Sequence, residues 1–254
     1  MRNPKTILLV DDELPVLRSL AKALAGEGYQ LSQALSGDEA LALTGERDYD
    51  VVVTDLMMPG MNGLELLRTL RRRDPGIPLI MITGYPSVKA AVESIKAGAF
   101  DYLPKPFTPE ELRGQVARAL ARRGLDVSKI AIPPVNGYCI PENSWMIVQE
   151  NGNVRIGAHP VFLETVGTVA AVELPNLGEM RFQGEPCVKL MDSFRRLHTL
   201  WSPASGKVLA VNQALAGRPS GLGHDPFIGG WLLEMTPVSL EEDIRNLVPI
   251  VQGG

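Results

Sequence analysis

The chain has 254 residues, 45% of them hydrophobic and 21% charged, with a net charge of -4. That length leaves room for two domains of ordinary size, and the composition is that of a globular chain, neither disordered nor membrane-embedded, with no apolar run near the roughly 18 residues of a membrane-spanning helix. Its two cysteines, Cys139 and Cys187, are too few and too far apart for a disulfide framework or a cysteine-based metal site, and read as core or surface thiols.

Met1-Arg2-Asn3-Pro4-Lys5 runs directly into a strand, without the apolar segment or cleavage site of a signal peptide, so a cytoplasmic location is expected. From Thr6 to about Arg122, short β-branched apolar runs alternate with segments of helical period, which is the pattern of a doubly wound parallel α/β sheet. Five strands are predicted, at Thr6–Val10, Tyr29–Ala34, Asp50–Thr54, Leu79–Thr83 and Asp101–Pro104. Amphipathic helices are predicted at Pro15–Ala25, Gly63–Arg73, Val88–Ala97 and Pro109–Arg122. Ile7-Leu8-Leu9-Val10 and Val51-Val52-Val53 are the near-continuous apolar runs that strands covered on both faces require.

After Arg122-Arg123-Gly124 the pattern breaks, and Ile132-Pro133-Pro134 with Asn136-Gly137 marks a linker at 125–135 between a domain at 1–124 and another at 136–254. Beyond it, short alternating segments at Ser144–Gln149, Asn153–Ile156 and Gly206–Val211 predict a mostly β domain, closed by a helix at Leu240–Leu247. Residues 1–124 carry 16 basic and 16 acidic groups, and residues 125–254 carry 9 and 13. Neither part has the basic excess of a nucleic-acid binder, and no recognition-helix pattern is present. The second part holds only three lysines, Lys129, Lys189 and Lys207.

In a parallel α/β sheet the functional crevice lies at the carboxyl ends of the strands. Asp11 and Asp12 follow the first predicted strand, Asp55 the third, Thr83 ends the fourth and Lys105 follows the fifth. Carboxylates converging there repel one another unless a cation sits among them, and oxygen donors of this kind suit Mg²⁺. One carboxylate is then able to attack phosphorus as a nucleophile, with Lys105 pairing with the phosphoryl oxygens and the Thr83 hydroxyl donating a hydrogen bond. Each residue also has a plainer reading: Asp11 or Asp12 as a helix N-cap, Thr83 as turn chemistry before Gly84, Lys105 as a solvated loop lysine.

Val10-Asp11-Asp12-Glu13, the segment Thr54-Asp55-Leu56-Met57-Met58-Pro59-Gly60, Thr83-Gly84 and Asp101-Tyr102-Leu103-Pro104-Lys105-Pro106-Phe107 closely resemble a bacterial response-regulator receiver domain, over residues 5–122. The resemblance implies a five-stranded flavodoxin-like sheet with Asp55 as phosphoacceptor. It implies Mg²⁺ held by Asp12, Asp55 and the Met57 carbonyl, with Asp11 acting through water. It makes Thr83, Lys105 and Tyr102 the residues that respond to phosphorylation, and Lys105-Pro106 a cis peptide. A histidine kinase is the implied partner, the last helices are a possible homodimer surface, and the only chemistry is the domain's own phosphoryl transfer and dephosphorylation, so no separate enzymatic activity is expected.

The second part has no helix-turn-helix, phosphate-binding loop or catalytic triad. Glu173-Leu174-Pro175-Asn176-Leu177-Gly178-Glu179, Gly184-Glu185-Pro186, Trp201-Ser202-Pro203-Ala204-Ser205-Gly206-Lys207, Val211-Asn212-Gln213-Ala214-Leu215 and Asp225-Pro226-Phe227 resemble, in order and spacing, the H protein of the glycine cleavage system over 136–250. That family is a lipoyl-carrying β barrel-sandwich hybrid, and it attaches the lipoyl group to a lysine at a hairpin tip. Aligned back from Ser202-Pro203, the tip reads Asp192-Ser193-Phe194-Arg195-Arg196, with Arg195 at the lysine position. A guanidinium keeps the charge but cannot form a lipoyl amide, so no lipoyl group is expected.

These residues imply a two-component response regulator whose non-lipoylated second domain is a protein-interaction output for an unidentified partner, without nucleic-acid or membrane binding. A lipoyl carrier, or a lipoate- or glycine-cleavage-linked protein regulated by the receiver, is the alternative. Arg195-Arg196 is either a solvated surface pair or a docking element. His198 is weak evidence for a metal or acid-base site, Trp201 reads as core, and His224-Asp225 reads as turn residues.

Overall fold

In the computed structural model, which describes residues 4–84, 93–130, 132 and 136–250, the apolar runs form strands where their length predicts. β1 (Thr6–Val10), β2 (Gln30–Ala34), β3 (Val51–Asp55), β4 (Leu79–Thr83) and β5 (Asp101–Pro104) make a sheet in the order β2-β1-β3-β4-β5. Every pairing in it is parallel. β3 and β4 are buried along their whole lengths, as strands covered on both faces must be. The chain runs from β1 to β2 on one side and then returns to β3 on the other, so the order reverses between β1 and β3 and leaves a crevice beyond their carboxyl ends.

Helices α1 (Leu14–Leu24), α2 (Gly37–Glu46), α3 (Gly63–Arg73) and α4 (Pro109–Arg123) fill the intervals. Three begin with side-chain caps. Ser36 accepts from the Glu39 amide, while Asn62 with Glu65 and Thr108 with Glu111 form reciprocal capping boxes, each satisfying amides that the first turn leaves unpaired. Leu17, Leu20 and Leu24 of α1 and Leu112, Val116 and Ala119 of α4 pack on one sheet face with Ile7, Leu9, Val51, Val53, Ile80, Ile82 and Leu103. The helix expected at Val88–Ala97 begins outside the described residues, and residues 93–96 are helical.

The chain divides into two compact units, Met1–Leu125 and Asp126–Gly254. The second is mostly antiparallel. β6 (Tyr138–Ile140), β7 (Ser144–Val148), β8 (Val154–Ala158), β10 (Met180–Arg181), β13 (Gly206–Val211), β14 (Trp231–Pro237) and β15 (Val248–Pro249) form a seven-stranded sheet in the order β10-β13-β14-β8-β7-β6-β15. β9 (Val169–Glu173), β11 (Pro186–Asp192) and β12 (Leu197–Trp201) form a three-stranded one, with β11 central. Asn143 links the sheets, donating from Nδ2 to the Thr199 carbonyl and accepting from the Trp201 amide, and Ser144 Oγ donates to the Trp201 carbonyl.

Trp145 lies buried opposite Gly157, where a Cβ would stand 2.4 Å from the indole ring. Cys139 and Phe227 complete its cluster, against which Ile132, Ile147, Trp231 and Ile250 pack. The alternating segments predicted here are strands, but two helices had no counterpart in the expectation: α5 (Pro160–Val166) and α6 (Gln213–Gly217). Both are too short for a helical period to stand out, and α5 is announced only by Pro160 in its first turn and His159 as its cap. The closing helix, α7, spans Leu240–Arg245. No helix among the described residues is long and apolar enough to cross a membrane.

Candidate functional site

The register of the parallel sheet sets Val10 beside Thr54, so Asp11 and Asp55 leave adjacent strands at the same level. Both are buried, at 1% and 6% exposure, whereas Asp12 is exposed. Lys105 reaches between the buried pair, its Nζ donating to Asp55 Oδ1 at 2.7 Å and to Asp11 Oδ2 at 2.9 Å. It is thus a paired and partly buried lysine rather than a solvated loop residue. Burial of the ammonium works against its charge, but the hydrogen bonds and charges of Asp55 and Asp11 outweigh it and hold the Lys105 pKa above its ordinary value.

The remaining carboxylate oxygens are bound by the backbone. Asp55 Oδ2 accepts from the Met57 amide at 2.6 Å, and Asp11 Oδ1 accepts from the Glu13 amide at 2.9 Å. The N-cap of α1 is Glu13, so neither Asp11 nor Asp12 is a helix cap. Gly63 holds the loop after Asp55 against the strand end, since a Cβ there would lie 2.3 Å from the Asp55 carbonyl oxygen and 3.1 Å from the Leu56 Cα. Thr83 is buried at the end of β4, and its carbonyl accepts from the Lys105 amide at 2.7 Å. Tyr102 is buried on β5 opposite Met81, and Lys105-Pro106 is cis. Met57 is 62% exposed at the mouth of the crevice.

Two buried carboxylates, a third beside them and a backbone carbonyl are hard oxygen donors, which fit Mg²⁺ in kind and leave positions for water. As the side chains lie, no three His, Cys, Asp or Glu among the described residues stand together closely enough to hold a metal ion. The reason is visible in the geometry: the repulsion expected among the acids is met by the Lys105 ammonium, while Asp12 faces outward. The crevice therefore combines a fixed carboxylate, an ammonium that already pairs with it and a buried hydroxyl-bearing residue, the groups that transfer of a phosphoryl group to oxygen requires.

A pair that sequence reasoning missed lies behind Tyr102. Asp101 and Arg118 are both nearly inaccessible and meet at 2.7 Å, with the Arg118 guanidinium 5.1 Å from the centre of the Phe100 ring. The signal was present in the helical period, because Gln115 and Arg118 fall on the buried stripe of α4.

In the second unit, Arg195 occupies the β11–β12 turn with φ 63°, in the left-handed region. Asp192 Oδ1 accepts from the amides of Phe194 and Arg196 at 2.8 and 2.9 Å, and the buried His198 donates from Nε2 to Asp192 Oδ2 at 3.2 Å. His198 is thereby a turn support, and Trp201 is core at 4% exposure. Lys189 lies within β11, Lys207 within β13, and Lys129 in a short 3-10 turn beside Asp126. Asp225 caps the turn after it through the amides of Ile228 and Gly229, and His224 is exposed. Burial pushes the Cys139 and Cys187 thiols up to about 11 and about 12, which leaves both as unreactive core groups.

Residues 7–117 match the family model of the response regulator receiver domain, and residues 137–251 that of the glycine cleavage H-protein. Response regulator MprA of Mycobacterium sp. (strain KMS) is 45% identical over 120 residues, covering 47% of this chain and 52% of the relative. The DNA-binding transcriptional regulator NtrC of Salmonella typhimurium is 40% identical over 115 residues, covering 45% of this chain and 24% of the relative. The chain thus spans about half, or less, of the length of these curated relatives. Among solved structures, a CheY-like receiver domain protein from Methanospirillum hungatei has 34% identity and a TM-score of 0.46, covering 48% of this chain and 98% of that one.

Proposed function

From a response regulator receiver domain at residues 7–117 followed by a glycine cleavage H-protein-like domain at residues 137–251, we propose that the chain is a two-component response regulator phosphorylated on Asp55. The observation that supports this most directly is the Lys105 ammonium held between Asp11 and Asp55 at the strand ends, next to Thr83. The donor is a phosphohistidine of a histidine kinase. An Asp55 carboxylate oxygen attacks phosphorus, the N–P bond breaks, and the imidazole leaves with the electron pair.

Asp11, Asp12, Asp55 and the Met57 carbonyl are the groups that would hold Mg²⁺, which when bound offsets the charge of the entering phosphoryl group. The Met57 amide orients the Asp55 carboxylate. After transfer, Lys105 exchanges its carboxylate contact for a phosphoryl oxygen, and the Thr83 hydroxyl donates to another. A phosphoryl group adds roughly -1.5 to -2 charge, enough to draw both residues inward and let Tyr102 follow. The surface so altered, at the last strand and helix of the first unit, is the candidate site of homodimerisation.

The second unit is read as a protein-interaction output without a lipoyl group, because Arg195 stands at the hairpin tip where the related family carries its lysine. Incubation with Mg²⁺ and acetyl phosphate is expected to add one phosphoryl mass, and Asp55→Ala to abolish it; no addition to the unaltered chain would remove the reading. Intact mass from cells supplied with lipoate is expected to show no lipoyl adduct, and an adduct on Lys189 would restore the carrier reading.

A further inference from the structure

We propose that the tip of the β11–β12 hairpin, Phe194 with Arg195 and Arg196, is a preformed docking element for an acidic segment of a partner protein. The inference rests on the reading of the second unit as an interaction output and names where and what that unit binds.

Three independent observations carry it. Phe194 is 76% exposed, so a large apolar ring projects from the turn instead of entering either sheet. The Arg196 guanidinium lies over that ring, 5.3 Å from its centre, which sets positive charge directly beside apolar surface. Arg195 holds φ 63°, a conformation that glycine adopts freely and an L side chain only at a cost. A turn selected for stability alone would carry glycine there; an arginine kept in that backbone points to a use for its side chain.

The support below the tip is correspondingly stiff. The buried Asp192 carboxylate spends both oxygens on the turn, accepting from the Phe194 and Arg196 amides and from His198, so the backbone that carries the three side chains is fixed before any partner arrives. Such preorganisation reduces the entropy lost on binding.

Charge selects the partner. Residues 126–254 carry 9 basic and 13 acidic groups, and Arg195-Arg196 is their only adjacent basic pair. An acidic segment is repelled by most of this unit and attracted to the tip, which favours one encounter geometry. Guanidinium groups bind carboxylates in a fixed planar geometry, and an exposed aromatic ring supplies the apolar anchor typical of binding hot spots. The partner segment therefore places Asp or Glu beside an apolar side chain.

The test is selection of a random phage-displayed peptide library on the unaltered 254-residue chain, followed by anisotropy titration of the enriched peptides. The expected peptides carry Asp or Glu next to an apolar residue and bind at least about tenfold more weakly to Phe194→Ala and to Arg195→Gly. Arg195→Gly is expected to melt no lower than the unaltered chain, because glycine relaxes the turn, so binding is lost without loss of structure. Peptides that bind the second unit equally well in both variants overturn the inference and leave the output reading standing. Peptides that bind only the first unit, or no enrichment at all, remove both. Self-association abolished by Arg195→Gly would assign the tip to a second copy of the chain and overturn the partner named here.

Discussion

Lys105 Nζ lies 2.7 Å from Asp55 Oδ1 and 2.9 Å from Asp11 Oδ2, so one ammonium ties together the carboxyl ends of β1, β3 and β5. Lys105→Met leaves two buried carboxylates facing each other without a cation. Because the ammonium is partly solvated, the expected loss of stability is that of charged hydrogen bonds, about 1–3 kcal/mol. Added Mg²⁺ is expected to restore more stability to the variant than to the unaltered chain. Urea denaturation followed by far-UV circular dichroism, with and without Mg²⁺, measures both; equal Mg²⁺ effects would separate Lys105 from the cation site.

Arg118 and Asp101 form an ion pair with almost no access to water. Removing one partner strands the other charge in the core, and Arg118→Ala is expected to cost about 3–5 kcal/mol. Arg118→Met combined with Asp101→Leu is expected to recover most of that loss, since an apolar pair needs no desolvation. All three tryptophans lie in the second unit, at 145, 201 and 231, so the fluorescence transition is expected to stay in place while the circular dichroism transition moves.

Gly157→Ala brings a methyl group against the Trp145 ring, which is fully buried and cannot swing away. The expected destabilisation is about 1–3 kcal/mol, as for other overpacked cores. Here the tryptophan fluorescence midpoint is the quantity that moves.

Two carboxylates are expected to give opposite pH dependences. Burial raises the Asp50 pKa, but the Lys5 ammonium and the amide and hydroxyl of Thr6 outweigh it, leaving Asp50 below its ordinary 3.8. Its contribution is therefore present above pH 3.8 and lost as pH falls through the folded value. Burial of Asp243 prevails over its bonds from Ser205 and raises its pKa above 3.8, so its contribution declines as pH rises through the folded value. Relative to the unaltered chain, Asp50→Asn is expected to lose its deficit toward acid, and Asp243→Asn to gain as pH rises from about 4. Midpoints by circular dichroism for Asp50 and by tryptophan fluorescence for Asp243 check the two signs.

Much of the first unit was legible because its strands are short, buried and apolar and its helices are amphipathic. Leu79–Thr83 and Gly63–Arg73 have the predicted bounds, while β2 starts one residue later and β3 is displaced by one toward Asp55. In the second unit, 160–166 was not readable as a helix, since a Pro-Val-Phe-Leu run of that length has no distinguishable period. His198 looked like an isolated ionisable residue. Its pairing with Asp192 depends on the hairpin bringing positions six apart to the same buried place.

The order of the five strands of the first unit, and the placing of Asp11, Asp55, Thr83 and Lys105 at strand ends, follow from the sequence by itself, because hydrophobic periodicity and turn chemistry are local. Which of these groups meet was decided only by tertiary structure. Lys105 reaches Asp11 across 94 positions and Asp55 across 50, through a strand order that periodicity does not encode. The same holds for the pairing of Arg118 with Asp101 and for the strained backbone of Arg195. Each depends on what surrounds the residue in space, and an arginine written in a sequence has the same chemistry whether it ends in water, in a core or at the tip of a hairpin.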